Sequence, residues 1–125
     1  MTMRQDTAER RREIYREALE IIEREYSRDL TLDEVARELA TSRRQLQRVF
    51  SEIGGTTFRR AVAEARMRNA RRLLLEGTMP VRAVGASVGY LQPAQFSKTF
   101  RRHFGAAPSE LRRNGAGSAA ELSVA

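Results

Sequence analysis

Two helix-start signals, eleven residues apart, constrain this chain more than any other feature of its sequence. They are Thr31-Leu-Asp-Glu34 and Ser42-Arg-Arg-Gln45. In each, the first hydroxyl can accept a bond from a free helix N–H, and the Glu or Gln side chain can reach back to the cap residue. One short amphipathic stripe lies between them: Leu32, Val35, Ala36 and Leu39. Two short helices with a tight turn near Ala40-Thr41 indicate a helix-turn-helix unit.

The same pattern occurs a second time, at an offset that drifts from 49 to 51 residues. Ala36 matches Gly85 and Ala40 matches Gly89, so small residues recur where the helices and the turn must pack closely. The other matched pairs are Leu32/Val81, Val35/Val84, Leu39/Val88, Leu46/Phe96, Arg48/Lys98, Phe50/Phe100 and Gly54/Gly105. The repeat predicts a second helix-turn-helix unit.

Helical periodicity dominates the rest of the chain. We expect a first helix from about Ala8 to Tyr26 and a long helix from about Thr57 to Leu75. Pro80, Pro93 and Pro108 each suit the first position of a helix. The sequence therefore predicts an all-α fold of about seven helices, with two helix-turn-helix subdomains joined by a long central helix. The predicted division is 1–54 for the first helix and first unit, 55–77 for the linker helix, 78–113 for the second unit and 114–125 for a flexible tail.

The charge distribution indicates a polyanionic partner. The chain has a net charge of +7 and a pI near 11.1. Residues 1–40 hold 8 arginines and 11 acidic residues, net −3, whereas residues 41–125 hold 15 basic and 5 acidic residues, net +10. The positive charge thus begins with the second helix-start signal, and basic surface gains affinity for nucleic acid by releasing counterions from phosphates.

Other classes of function find little support. The 125 residues include no cysteine and a single histidine, His103. We therefore expect no metal site and no cofactor, and an enzyme is disfavoured because clustered carboxylates and a phosphate-binding glycine loop are also missing. No apolar run approaches a membrane span, and the N-terminus does not resemble a secretory signal. We expect a cytoplasmic protein.

The first predicted recognition helix has two distinct faces. Its apolar stripe, Leu46, Val49, Phe50 and Ile53, must face the core. The opposite stripe has no acidic residue and consists of Arg44, Gln47, Arg48 and Ser51, with Arg43 beside it. Arginine suits guanine and glutamine suits adenine in the major groove, while serine suits a base edge or a phosphate. We expect the arginines and Gln47 to read bases and Ser51 to contact phosphate.

The second predicted recognition helix places Phe96, Phe100 and Phe104 inward. Gln92 lies at its start, and Ala94, Gln95 and Lys98 lie outward as candidate base contacts. Ala94 is suited to a thymine methyl group. The candidate phosphate contacts on and after this helix are Ser97, Arg101, Arg102, Arg112 and Arg113.

The sequence resembles the DNA-binding domain of the AraC/XylS family of bacterial transcriptional regulators over about residues 8–113. The resemblance is carried by the stretches at 32–36, 42–50 and 66–74, and most strongly by Val84-Gly85, Gly89-Tyr90, the run from Phe96 to Gly105, and Pro108. It implies a seven-helix fold whose helices near Ser42 and Pro93 enter the major groove. It also implies that Pro93 is a base-reading position, together with Ala94, Gln95 and Lys98. Pro93-Ala94 replaces residues that are often polar in the family, and Arg44 replaces an aromatic residue of some relatives.

Two interpretations of the whole chain stay open. In the first, the chain is a complete, monomeric regulator that reads about 20 bp of double-stranded DNA, in two successive major-groove segments. In the second, it is the DNA-binding fragment of a larger regulator, or a module that depends on a partner protein docked on its acidic first helix. RNA polymerase is a further candidate partner.

Overall fold

The computed structural model describes the backbone of residues 3–115 and the side chains of residues 7–115. The described chain is all helical. Its helices are α1 (Met3–Glu25), α2 (Leu32–Glu38), α3 (Arg43–Glu52), α4 (Phe58–Glu76), α5 (Val81–Ser87), α6 (Pro93–Phe104) and α7 (residues 108–115). The predicted fold class is confirmed. Of the predicted tail, residues 114 and 115 belong to α7, and residues 116–125 lie outside the described residues.

Two helix boundaries differ from the prediction. α1 begins at Met3 instead of Ala8, because no glycine or proline interrupts the segment before Ala8. Pro80 is the N-cap of α5 and not its first helical residue.

The chain divides into two compact units, Met1–Ala65 and Arg66–Ala125. The division falls inside α4, which the sequence analysis treated as a separate linker.

The first unit has one apolar core. It is formed by side chains of α1, α2, α3 and the start of α4: Ile14, Ala18, Ile21, Ile22, Val35, Ala36, Leu39, Leu46, Val49, Phe50, Ala61, Val62 and Ala65, with Leu30. Phe50 is central because Tyr15 and Phe58 both pack edge-on against its ring, at centroid distances of 5.3 and 5.8 Å. Ile53 was predicted to join this core, but it is 37% exposed. It is the C-cap of α3, so it lies at the very end of the helix and not in its buried middle.

The second unit has its own core, built around the aromatic side chains of α6. Phe96 and Phe100 are fully buried and pack against each other, and Phe96 also packs against Tyr90. Val84 and Val88 are fully buried as well. Gly85 lies against Phe96, since a Cβ built at this glycine would lie only 2.7 Å from the Phe96 ring. The predicted requirement for a small residue at this position is confirmed.

The two turns share one backbone geometry. Ala40 N–H donates to Arg37 O at 3.1 Å, and Gly89 N–H donates to Ala86 O at 3.1 Å. The next residue in each turn donates its backbone N–H to a matching carbonyl: Thr41 to Ala36 O at 2.9 Å, and Tyr90 to Gly85 O at 2.8 Å. The internal repeat in the sequence is therefore a repeat in structure.

Candidate DNA interface

The first candidate interface is the exposed face of α3. Ser42 starts the helix because its Oγ accepts a bond from Gln45 N at 3.0 Å, which is one half of the predicted capping box. Leu46, Val49 and Phe50 are fully buried and fix the rotation of the helix about its axis. All predicted DNA-contacting residues of this helix are exposed: Arg43, Arg44, Gln47, Arg48 and Ser51.

Two of these arginines have carboxylate neighbours. Arg43 Nε lies 3.9 Å from Asp33 Oδ1, and Arg48 Nη2 lies 3.7 Å from Glu52 Oε2. Both pairs are long and exposed to solvent, so each contributes little to stability. Either guanidinium group can therefore exchange its carboxylate for a base edge or a phosphate at small cost.

Glu52 links this face to α1, a relationship that the sequence analysis missed. Its carboxylate accepts a hydrogen bond from the Arg11 guanidinium, which lowers the pKa of Glu52, and the charge of Arg48 lowers it further. Glu52 is therefore ionised at neutral pH beside a predicted base reader. The i,i+4 spacing of Arg48 and Glu52 is a signal in the sequence, whereas the approach of Arg11 depends on tertiary packing.

The second candidate interface is the outer face of α6 with the residue before it. The predicted base readers there are exposed: Gln92, Pro93, Ala94, Gln95 and Lys98. Of the predicted phosphate contacts, Arg101 and Arg102 are exposed and Ser97 is half-buried. Gln92 is the N-cap but forms no side-chain cap bond, unlike Ser42. Arg101 Nη2 lies 3.3 Å from Glu110 Oε1, again in an exposed pair.

The predicted phosphate contacts of α7 have different surroundings. Arg113 is exposed, whereas Arg112 is half-buried. Arg112 Nε donates to Leu74 O at 3.2 Å and so satisfies a carbonyl in the last turn of α4. The structure thus gives Arg112 a packing role that the sequence analysis did not anticipate.

The described residues give no indication of a metal site or of a membrane span. Among the side chains described, at residues 7–115, no three from His, Cys, Asp or Glu group together as metal ligands would. No helix in the same range combines the length and the apolar composition needed to cross a bilayer.

Residues 35–114 match the family described as "Helix-turn-helix domain". Among curated proteins, the sequence is similar to the HTH-type transcriptional regulator GlxA of Rhizobium meliloti (strain 1021), with 38% identity over 95 residues. That alignment covers 76% of this chain but 29% of the relative. The chain spans about a third or less of the first curated relatives that it matches.

Solved structures are similar to this chain over nearly their whole length. A transcriptional regulator from Chromobacterium violaceum, described as an AraC-type DNA-binding domain-containing protein, is 31% identical, with a TM-score of 0.81. The match covers 86% of this chain and 96% of that one. The DNA-binding domain of AdpA, a global transcriptional factor solved in complex with a target DNA, shares the fold with a TM-score of 0.71 and 24% identity, over 86% of this chain and 93% of that one. The chain therefore belongs to the AraC-type helix-turn-helix family of DNA-binding domains.

Proposed function

We propose that this chain regulates transcription by binding, as a monomer, two major-groove segments of one double-stranded operator. The observation that carries the proposal is the repeated backbone of the two helix-turn-helix turns, each followed by a helix with an exposed polar face. One chain thus contains two units of a kind that many repressors supply from two subunits.

We assign different DNA contacts to the two recognition helices, α3 and α6. On α3, Arg43, Arg44, Gln47 and Arg48 offer hydrogen-bond donors suited to guanine and adenine. On α6, Gln92, Gln95 and Lys98 offer polar contacts, and Pro93 and Ala94 offer apolar ones. Phosphate contacts are assigned to Ser51, Ser97, Arg101, Arg102 and Arg113. We leave Arg112 out of this set because its guanidinium already binds Leu74 O.

Selection of bound sequences from a random duplex pool, at physiological salt, tests this function. The major groove presents itself on one face of DNA about every 10 bp, so we expect an enriched motif in two parts about one helical turn apart. Sedimentation of the complex with a single site gives the stoichiometry, and we expect one chain per duplex. No enriched motif would contradict sequence-specific binding, and two chains per site would contradict the monomer.

A second candidate is that the chain forms the DNA-binding part of a longer regulator or of a partner-dependent complex. It is favoured by the relatives, of which the chain spans about a third or less. Weak DNA binding by the chain alone, restored by a protein bound to α1, would favour it over the stand-alone regulator.

Contact with RNA polymerase is a further proposal, with the exposed faces of α1 and α4 as candidate surfaces. Transcription reconstituted from purified components on a promoter that carries the selected site tests it. Activation that is lost on charge reversal in α1 or α4, with DNA affinity unchanged, would support the contact. If the protein only blocks transcription, this proposal fails. As a regulator of chromosomal genes, the protein would act in the bacterial cytoplasm.

A further inference from the structure

Leu91 is the large apolar side chain most open to solvent in the described chain. It is 88% exposed, whereas the other exposed large apolar residues are 36 to 38% exposed: Leu19, Ile53, Leu75 and Met79. Its neighbour Tyr90 is 8% exposed and fills the core, with the Arg66 guanidinium 5.4 Å from its ring centroid. Leu91 therefore contributes little to the packing of its own unit.

Leu91 is also the residue by which the two turns differ. Thr41 and Tyr90 occupy matching positions, because each donates to the carbonyl of the matched small residue. Ser42 follows Thr41 directly as the N-cap of α3, whereas Leu91 stands between Tyr90 and the N-cap Gln92 of α6. The second turn thus holds one extra residue, and that residue is an exposed leucine.

The chain segment that begins at Leu91 lacks charge. From Leu91 to Gln95 the sequence has no ionisable side chain, and Pro93 and Ala94 are exposed beside it. The corresponding start of α3 carries Arg43 and Arg44 instead. This uncharged segment leads directly into α6, because Leu91 immediately precedes the N-cap Gln92.

The apolar group that a major groove offers is the 5-methyl group of thymine. We infer that Leu91, with Pro93 and Ala94, reads thymine methyl groups in the half of the operator contacted by α6. The inference rests on the proposed function and deepens it: the α3 half is read through hydrogen-bond donors, and the α6 half is read in part through apolar contact. Each methyl group removed from water contributes about fourfold in affinity.

The test replaces single thymines of the selected operator with deoxyuridine, which removes the methyl group and keeps the base pairing. The half contacted by α6 is identified as the one whose base preference changes in Gln95→Ala. We expect at least one substitution in that half to weaken binding of the unaltered protein by about fourfold.

Leu91→Ser supplies the second arm of the test. This variant should bind thymine DNA about as weakly as the unaltered protein binds DNA with uracil at the position that Leu91 contacts. It should no longer respond to uracil at that position, whereas thymines contacted by Pro93 or Ala94 should keep their effect. Leu19→Ser, a change at an exposed leucine of α1, is the matched control and should keep the full response. A thermal melt of each variant checks that the fold is retained.

The failures are distinguishable. If selection yields no operator, both the proposed function and this inference fail. The inference alone is overturned if an operator is selected but its α6 half contains no thymine or tolerates uracil throughout. It is also overturned if Leu91→Ser stays as sensitive as the unaltered protein at every thymine of that half.

Discussion

Ala40 and Gly89 occupy the same position in the two helix-turn-helix turns, and both have a positive φ, 54° and 111° respectively. Among the non-glycine residues described, Ala40 alone has this conformation. A left-handed backbone brings an L-residue's Cβ close to the following carbonyl oxygen, whereas glycine has no Cβ. The first turn therefore carries a strain that the second turn avoids.

Ala40→Gly should stabilise the protein. Relief of the left-handed strain outweighs the greater backbone entropy of glycine in the unfolded chain, and we expect a gain of about 0.5–1 kcal/mol. Urea denaturation measures it as a higher midpoint with an unchanged slope. The matched control is Ala86→Gly at an exposed helical position of α5, which should cost about 1 kcal/mol. If both changes destabilise equally, the strain at Ala40 is not as described.

Gly85→Ala should destabilise the second unit by about 1–3 kcal/mol, because the new Cβ would overlap the buried Phe96 ring. Phe96 cannot withdraw easily, since it is packed against Tyr90 and Phe100. Thermal unfolding measures the loss. Combining the change with Phe96→Leu should cost less than the sum of the two single changes. Strict additivity would show that the two residues do not meet.

Arg48→Ala should weaken binding to the selected operator by about 1–3 kcal/mol and relax the preference at one base pair. Arg102→Ala is the comparison, because loss of a phosphate contact weakens all sequences alike and lowers the salt slope by about one. Binding isotherms on specific and random duplexes at several salt concentrations separate the two effects. An equal loss on both duplexes would remove Arg48 from the base readers.

Arg112→Ala and Arg113→Ala separate packing from phosphate contact in neighbouring residues. Arg112 binds Leu74 O from a half-buried position, so its loss should cost about 1–3 kcal/mol of stability. Because Arg113 is exposed, Arg113→Ala should leave the unfolding midpoint unchanged and should weaken binding to all DNA sequences alike. Urea denaturation and binding isotherms of both variants provide the measurements. The assignment is reversed if Arg113→Ala is the less stable variant.

Acid should destabilise the first unit through carboxylates paired with arginine. Hydrogen bonds from Arg28 lower the pKa of Glu25 and of Glu34 below 4.5, and Arg11 does the same for Glu52. A carboxylate whose pKa is lower in the folded than in the unfolded state stabilises the fold when the pH is above its unfolded-state pKa. This stabilisation is lost as the pH falls through the folded-state pKa. Tm should therefore hold down to a pH of about 5 and fall below it. Arg28→Met should flatten this fall, and an unchanged profile would exclude the pairs of Arg28 with Glu25 and Glu34 as its cause.

The parts of the fold that depend on local chemistry could be predicted from the sequence. Thr31 and Glu34 form both bonds of the predicted capping box, at 3.1 and 3.3 Å. The small residue Gly85 predicted a close contact between helices, and Gly89 predicted a turn. Gly85 does lie against Phe96, and Gly89 does have the positive φ of a turn residue. In each case the residue type is required by a backbone within a few positions of it.

What could not be predicted depends on contacts between distant parts of the chain. Arg112 reaches a carbonyl 38 residues away, and Arg11 reaches a carboxylate 41 residues away. A long flexible arginine in a basic sequence suggests a phosphate contact until its packing is known. Ile53 continued an apolar stripe, but the helix ends before it. The matched exposure of Arg48 and Lys98 followed from periodicity, whereas the approach of Arg11 to Glu52, beside Arg48, did not.

The close contact of Gly85 with Phe96 has a consequence for how this domain evolves. The residues that hold α5 against α6 are buried, whereas the residues proposed to read bases are exposed, so these two sets do not overlap. On the proposed assignment, substitutions at exposed Ala94 or Gln95 should change the preferred operator with little loss of stability, because neither side chain belongs to the buried core. The domain would thus acquire new targets through a few surface positions, while the contact of Gly85 with Phe96 restricts which residues the scaffold itself can accept.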